Sequence, residues 1–284
     1  MDFTLYWFMF PVGMMVATTA MLSGIGGAAF FTPIFLLIFP LLGPEYPLAS
    51  PVTAIAVALL TETFGFSSGF IGYYRKRLID FGLIKSFLIV SIPAGIVGTL
   101  MAHYVNTQLI LLFYGLLMFI VAYVLIKGHG GEVTEDFEAS DELRKVVDTE
   151  GNVYQHMMYQ AKKIPTAVGG LLTGLVSVGI GEVVMPQLVK DGKVAVPVAA
   201  ATSVLIVIVT VICASFTHVA TLINQGGINA VPWNLVCYSI PGVLIGGQIG
   251  PRLQGKVPQR VMERTIAVIF SIIGIAMIFM VAKG

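Results

Sequence analysis

Two glutamates stand in otherwise apolar stretches of the chain, where a carboxyl group could carry a proton. Glu62 lies near the centre of the apolar run 50–73, and Glu182 directly follows a Gly-Ile-Gly segment at 179–181. A charge inside a membrane costs about 2.5 to 3.5 kcal/mol or more unless it is paired, protonated or hydrated. Neither stretch contains a lysine or arginine. We therefore expect proton carriage by both carboxyls; the alternative is a neutral acid that is hydrogen-bonded to a neighbouring helix.

Glycine interrupts the hydrophobic pattern at two matching places, LSGIGGAAFF at 22–31 and LVSVGIGEVV at 175–184. A helix that begins in mid-membrane leaves its first amide N–H groups unsatisfied and carries about half a positive charge there, which suits an anion. Glycine lets these amides approach an oxyanion without a Cβ in the way. Close helix packing is the alternative reason for the glycines. The predicted anion-binding residues are Ser23, Gly24, Gly26, Gly27, Ser177, Gly179 and Gly181.

Three hydroxyl side chains complete the predicted substrate site. Thr53 follows the first break and corresponds to Thr202 after the second, where Ser203 is the next residue. A threonine in a membrane helix often bonds back to its own backbone, so this is the alternative for both threonines. We expect the hydroxyls to lie near the bilayer midplane and to reach the anion.

The composition requires a membrane as the solvent of most of the chain. Hydrophobic residues make up 57% of the sequence and charged residues 11%, whereas a soluble domain has about 25% charged residues. A span needs about 20 apolar residues. Two further segments, 5–42 and 164–189, are apolar but contain the glycine breaks, so each is predicted to be a hairpin of two shorter helices. Six uninterrupted spans are predicted at 50–73, 81–102, 109–126, 195–216, 233–249 and 265–281.

Basic residues predict the orientation of these segments. Under the positive-inside rule, connections rich in lysine and arginine are cytoplasmic. Both termini are then external, and the two interrupted segments enter from opposite sides. Each half is a broken hairpin plus three spans, which predicts an all-α membrane protein made of two inverted-topology repeats, as in secondary transporters. The connections with no lysine or arginine are 41–49, 103–108 and 218–231, and the basic ones lie within 75–85, 127–163, 190–193 and 252–264.

The repeats also set the predicted domains: a first transmembrane repeat at 1–127, a polar linker at 128–163 and a second repeat at 164–284. The linker is rich in acidic residues between Glu132 and Glu150, so we expect a solvated cytoplasmic segment that could include a short helix. A regulatory or partner-binding role is the alternative. His103 and His218 fall at external span ends, where we expect them to be solvated.

The doubled order of motifs resembles the sulfite exporter TauE/SafE family, also called the 4-toluene sulfonate uptake permeases. The order runs from the small-residue break through Pro33, Thr53 and the basic loop 75–77 to Ser-Ile-Pro-x-x-x-x-Gly at 91–98, and the second half repeats it with Ser239 to Gly246. The resemblance implies movement of sulfite, an organosulfonate or a related sulfur-containing anion across the cytoplasmic membrane. Glu182 departs from the glycine-rich pattern, because Gly27 holds the equivalent place in the first half.

Other function classes fit the residues less well. Scattered histidines, with no His-Glu-x-x-His or comparable spacing, indicate neither a metal site nor an embedded enzyme, and we expect no cofactor. An anion channel with the same amide-lined breaks is the main alternative. The expected partners are a small sulfur-containing anion, protons and the lipid bilayer, with no nucleic acid; a homo-oligomer stays open.

Overall fold

Helices form most of the described chain in the computed structural model, which describes residues 4–127, 143–253, 256 and 258–283. The first half contains α1 Met9–Ser23, α2 Ala28–Pro33, α3 Phe39–Leu42, α4 Pro51–Arg75, α5 Phe81–Ala102 and α6 Thr107–Ile126. The second contains α7 Lys163–Val176, α8 Ile180–Pro186, α9 Val196–Gly226, α10 Trp233–Leu253 and α11 Gln259–Lys283. The all-α membrane fold is therefore confirmed.

Both interrupted segments have the broken form that the glycines predict. The gap between α1 and α2, at 24–27, contains the first Gly-Ile-Gly segment, and the gap between α7 and α8, at 177–179, ends at the first glycine of the second. In each segment a proline, Pro33 or Pro186, is followed at once by a π-helical turn, at Ile34–Ile38 and at Gln187–Asp191. Proline lacks the N–H that an α-helix would use, and π turns often mark such irregular places. The two halves thus share the break and the distortion that follows it.

Five described helices are long and apolar enough to cross a membrane: α4, α5, α6, α9 and most of α11. The remaining predicted span, at 233–249, lies in α10, a helix of 21 residues that is not among those five. Helix α9 has 31 residues and a length of about 46 Å, so it extends well beyond a hydrocarbon core of about 30 Å.

The interrupted segments pack against spans of the opposite half. Helix α1 lies along α10, and α7 lies along α5, while α4 and α9 lie side by side between them. The glycines of the repeated Ser-Ile-Pro motif make these close crossings possible. A Cβ at Gly246 would overlap the backbone of Met14, and one at Gly98 would overlap the backbone of Leu171. Small residues commonly allow such approaches between membrane helices.

The linker differs from the short helix that the sequence allows. Residues Leu143–Val147 and Val153–Met157 are two antiparallel strands, β1 and β2, joined by a turn in which Gly151 has φ +87°. Alternating side chains and β-branched valines favour strands here, and Asp148 bonds to the amides of Glu150 and Asn152 in the turn. The first part of the predicted linker, 128–142, lies outside the described residues. The domain boundaries and the opposite insertion of the halves stay predictions.

Candidate functional site

The first break holds a buried carboxylate on its own amides. Glu62 comes from α4, has 2% of its surface exposed, and accepts a hydrogen bond of 2.7 Å from the Gly27 N–H to its Oε1. Gly27 stands where α2 begins, so the carboxylate occupies one of the amides that the half-helix leaves free. Negative charge at such an end is favourable. The predicted amide site and the predicted proton carrier are therefore one site.

The second break holds a carboxylate from its own first turn. Glu182 accepts a hydrogen bond of 2.9 Å from the Gly179 N–H to Oε2, the contact of a helix-capping glutamate at the third helical position. Gly179 has φ +150°, a conformation that side chains rarely adopt, which explains glycine at this position. The other oxygen, Oε1, is buried and has no hydrogen-bond partner among the described residues.

The two breaks touch each other. A Cβ built at Gly181 would lie 3.2 Å from the Gly26 nitrogen and 3.2 Å from the Gly24 carbonyl oxygen. A Cβ at Gly26 would lie 3.0 Å from Oε1 of Glu62 and 3.8 Å from Oε1 of Glu182. Both carboxylates therefore flank the same glycine. The two half-helices can come this close because neither Gly26 nor Gly181 has a side chain.

The predicted serines take part in the breaks, but both hydroxyls are engaged. Ser23 Oγ donates to the Thr19 carbonyl at 2.9 Å and accepts from the Ile25 N–H at 3.3 Å. Ser177 has φ +62°, closes α7, and shares a 2.7 Å hydrogen bond with the hydroxyl of Thr32. Both side chains thus hold the backbone of the breaks in place.

The three hydroxyls after the breaks do not form one group. Ser203 lies nearest, because its Oγ would be 3.5 Å from a Cβ at Gly24, although its hydroxyl bonds back to the Ala200 carbonyl. Thr53 lies in the first turn of α4 and bonds to the N-cap residue Ser50. Thr202 accepts a 3.0 Å hydrogen bond from the Asp80 N–H. The structure therefore assigns Thr53 and Thr202 to contacts at helix ends rather than at the breaks.

Two residues that sequence reasoning missed support the breaks. Thr173 is buried, and its hydroxyl accepts a 2.8 Å hydrogen bond from the Ile180 N–H. This amide lies at the start of α8 and has no partner within that helix. Tyr114 of α6 is fully buried and donates to the Ala29 carbonyl of α2 at 3.0 Å. In the sequence, Thr173 and Tyr114 are recognisable only as polar residues in apolar helices, and the sequence does not show which groups they bond to.

A cavity of about 140 Å³ lies beside the second break. Helix α6 supplies apolar side chains including Leu117 and Val121, while Gly179 and Glu182 stand on the opposite side. This volume is larger than one water needs, but its lining is mostly apolar, and Glu182 is the one charged residue among the lining side chains. Among the described residues, no group of three or more histidines, cysteines or acids could hold a metal ion.

The prediction of a solvated His218 is wrong. His218 is fully buried in α9, with its Nε2 at 2.8 Å from the Gly174 carbonyl oxygen of α7. The ring of His103, only partly buried at the end of α5, lies 5.3 Å away. Because α9 continues to Gly226, His218 stands inside the helix rather than at its end.

The chain is similar to a family model and to two curated proteins over almost its whole length. It matches the family model described as "Sulfite exporter TauE/SafE" over residues 9–277. It is 23% identical over 270 residues to the "Probable membrane transporter protein YunE" of Bacillus subtilis (strain 168), covering 94% of this chain and 95% of that protein. It is 27% identical over 274 residues to the "Probable membrane transporter protein YjnA" of the same organism, covering 90% and 95%. No solved structure matches.

Proposed function

The chain belongs to the sulfite exporter TauE/SafE family, and from this membership and the geometry of the breaks we propose that it is a proton-coupled secondary transporter. Its substrate is sulfite, an organosulfonate or a related small sulfur-containing anion. The observation that carries the proposal is the meeting of two half-helix starts, each with a carboxylate on its amide. An anion can bind these amides only after a carboxylate has left them.

Coupling follows from this competition. An ionised Glu62 is the better acceptor for the Gly27 N–H, because hydrogen bonds to charged groups are stronger than those between neutral groups. It also repels an incoming anion. A proton on Glu62 weakens the bond to the amide and removes the repulsion, so the anion and the proton enter the site together. Glu182 accepts the Gly179 N–H at the second break and is the other carboxyl that could carry a proton.

The site then serves the two sides of the membrane in turn. In the predicted topology the first break is reached from outside and the second from the cytoplasm, with the linker cytoplasmic and both termini external. Because the breaks meet at Gly26 and Gly181, a small relative movement of the halves could open the shared site to either side. The cytoplasmic membrane is the proposed location.

A binding panel tests the substrate class. The purified protein in detergent is heated with sulfite, sulfate, thiosulfate, taurine or sulfoacetate, and the shift in melting temperature is recorded. We expect one or more of these anions to stabilise the protein, whereas chloride at equal ionic strength serves as the control and does not. An absence of stabilisation by all five would contradict the proposed substrate class.

Transport by proteoliposomes tests the mechanism. Uptake of the best anion should saturate and should increase when an inward proton gradient is imposed. Glu62→Gln should remove the response to that gradient if Glu62 carries the proton, and Glu182→Gln gives the same test of the second carboxyl. Rapid single-channel currents without saturation would instead establish the anion channel.

A further inference from the structure

The strand hairpin of the linker is docked on Asp80, which lies in the connection between α4 and α5. In the hairpin Arg144 stands opposite His156, and both reach the same carboxylate. The Nη1 atom of Arg144 is 2.9 Å from Oδ1 of Asp80, and the Nε2 atom of His156 is 3.2 Å from Oδ2. The two strands therefore hold one acidic side chain between a guanidinium and an imidazole.

Asp80 also connects the hairpin to the membrane helices. Its Oδ1 accepts a 2.7 Å hydrogen bond from the Gly82 N–H and so caps α5. Its own N–H donates at 3.0 Å to Oγ1 of Thr202 in α9. Asp80 is 5% exposed, so water does not separate these groups. One residue thus joins the hairpin, the start of α5 and a helix of the second repeat.

Both ring nitrogens of His156 face acceptor oxygens. The ring is fully buried, its Nδ1 lies 3.0 Å from the Met157 carbonyl oxygen, and its Nε2 faces the Asp80 carboxylate. Both neighbouring groups are acceptors only. A neutral imidazole has one N–H and would leave one nitrogen lone pair against an oxygen, whereas the imidazolium presents an N–H to each of the two acceptors.

The charges that face His156 come from two elements. Asp80 precedes α5, and Arg144 lies on the neighbouring strand β1. Lys145 and Lys85 are exposed. Burial acts to raise the pKa of Asp80, but the His156 ring, the Gly82 amide and the Arg144 guanidinium hold that pKa below its ordinary value. The Asp80 carboxylate is therefore ionised near neutral pH and ready to pair with an imidazolium.

We propose that the 143–157 hairpin is a proton-sensitive latch, in which His156 binds a proton when it docks on Asp80 and the hairpin is released when that proton leaves. Release removes two of the groups that hold Asp80 beside Thr202. A further contact connects the hairpin to the second break. The Lys162 N–H, in the chain that follows the hairpin, donates a hydrogen bond to Oε1 of Gln187 in the π turn after α8. The latch thus adjusts both repeats to the pH on the linker side.

Docking itself provides the test, and it does not depend on which anion is carried. Spin labels are placed on cysteines at Glu150, in the exposed hairpin turn, and at Arg75, at the end of α4, in a Cys213→Ser, Cys237→Ser background. Distances are measured by pulsed electron paramagnetic resonance over the range of about pH 5 to 8 in which histidine changes charge. We expect a single short distance at the acid end and a growing population of longer distances as the pH rises.

The expected response is set by one proton. The ratio of docked to released hairpin should fall by at most about tenfold per pH unit. Asp80→Asn and His156→Leu should give the long distances throughout the range, and His156→Gln should make the distances independent of pH. Lys145→Gln is the matched control, because it removes a positive charge from the same strand on its exposed side, and it should follow the unmodified protein.

A distance distribution in the unmodified protein that does not change with pH would overturn the proposal, even if a variant failed to fold. So would a pH response that persists in His156→Leu. Transport in proteoliposomes, with the pH varied on the linker side alone, gives the second measurement: the unmodified protein should respond and His156→Gln should not. Failure of anion binding in the panel would contradict the proposed substrate and leave the latch intact.

Discussion

Replacement of Glu62 by glutamine tests the competition between carboxylate and substrate most directly. Glutamine keeps the shape of the side chain and an oxygen for the Gly27 N–H, which now bonds to Oε1 of Glu62 at 2.7 Å. It cannot ionise. The change therefore separates the charge of Glu62 from its packing in α4, where the side chain is almost fully buried.

The size of the effect follows from the strength of that bond. A hydrogen bond to a charged group contributes about 1.5 to 3 kcal/mol, and one between neutral groups about 0.5 to 1.5 kcal/mol. The difference of about 1 to 1.5 kcal/mol corresponds to a change of about tenfold in a binding constant. An anion that must displace the ionised carboxylate from the amide loses that much affinity. We therefore expect Glu62→Gln to bind the anion about tenfold more tightly than the unmodified protein at alkaline pH.

Calorimetry in detergent provides the measurement, with an anion from the panel whose own charge is constant across the pH range. Affinity of the unmodified protein should fall as the pH rises, because the ionised carboxylate returns to the amide. Affinity of Glu62→Gln should depend less on pH and should equal the unmodified value in acid. Glu45→Gln, which alters an exposed carboxylate, is the control. Weaker binding by Glu62→Gln with an unchanged pH dependence would refute the competition.

Three further predictions concern the break, the topology and the latch. Gly26→Ala should weaken anion binding and lower stability by about 1 to 3 kcal/mol in thermal unfolding, because the new Cβ would lie 3.0 Å from Oε1 of Glu62; unchanged binding would place the anion elsewhere. Cysteines at Asn106 or Gly227 should react with an impermeant thiol reagent in intact cells, whereas cysteines at Glu150 or at Ser140, which lies outside the described residues, should not; the reverse labelling would exclude the proposed orientation. Hairpin docking should also weaken in strong acid, because the docked state depends on an ionised Asp80 whose pKa is lowered. The ionised carboxylate stabilises docking fully above its ordinary pKa of about 4, and this stabilisation is lost as the pH falls through the lowered pKa. Docking that strengthens steadily below about pH 4 would contradict the role of Asp80.

Periodicity and composition predict the coarse architecture well because membrane helices satisfy their backbone internally. An apolar run of span length has few alternatives to a helix. A single Gly-Ile-Gly segment is also compatible with close helix packing, but its occurrence at matching places in both halves favours a break. Both interruptions and all six uninterrupted helices therefore occur in the predicted order and places, although α9 ends at Gly226 and not at residue 216. Glu62 and Glu182 also stand out in the sequence, because a carboxyl group in an apolar run is energetically costly unless it has a partner or a function.

Hydrogen-bond partners that are distant along the chain could not be predicted from the sequence. The Gly27 amide binds a side chain 35 residues away, and Thr202 binds a backbone group 122 residues away. Such contacts depend on how helices rotate and cross, and short motifs carry no information about that. The hairpin was missed for a different reason: the linker is polar, so a strand pattern of only five residues on each side is easily hidden. His218 was misplaced because the end of α9 was predicted about three turns early.

The two carboxylates are not equivalent, and the difference indicates which one moves. Glu182 belongs to the first turn of α8 and bonds to Gly179 three residues earlier, so it leaves its amide only if that turn unwinds. Glu62 reaches Gly27 from another helix, so rotation of its side chain or a small shift of α4 against α2 is enough to release the amide. Since α4 also packs against α9 and α10 of the second repeat, movement between the halves acts on this contact directly. Glu62 is therefore the carboxylate that we expect to exchange with the anion, while Glu182 holds the start of α8. Accordingly, Glu182→Gln should lower thermal stability more than Glu62→Gln and change the pH dependence of binding less; the opposite order would assign the exchange to the second break.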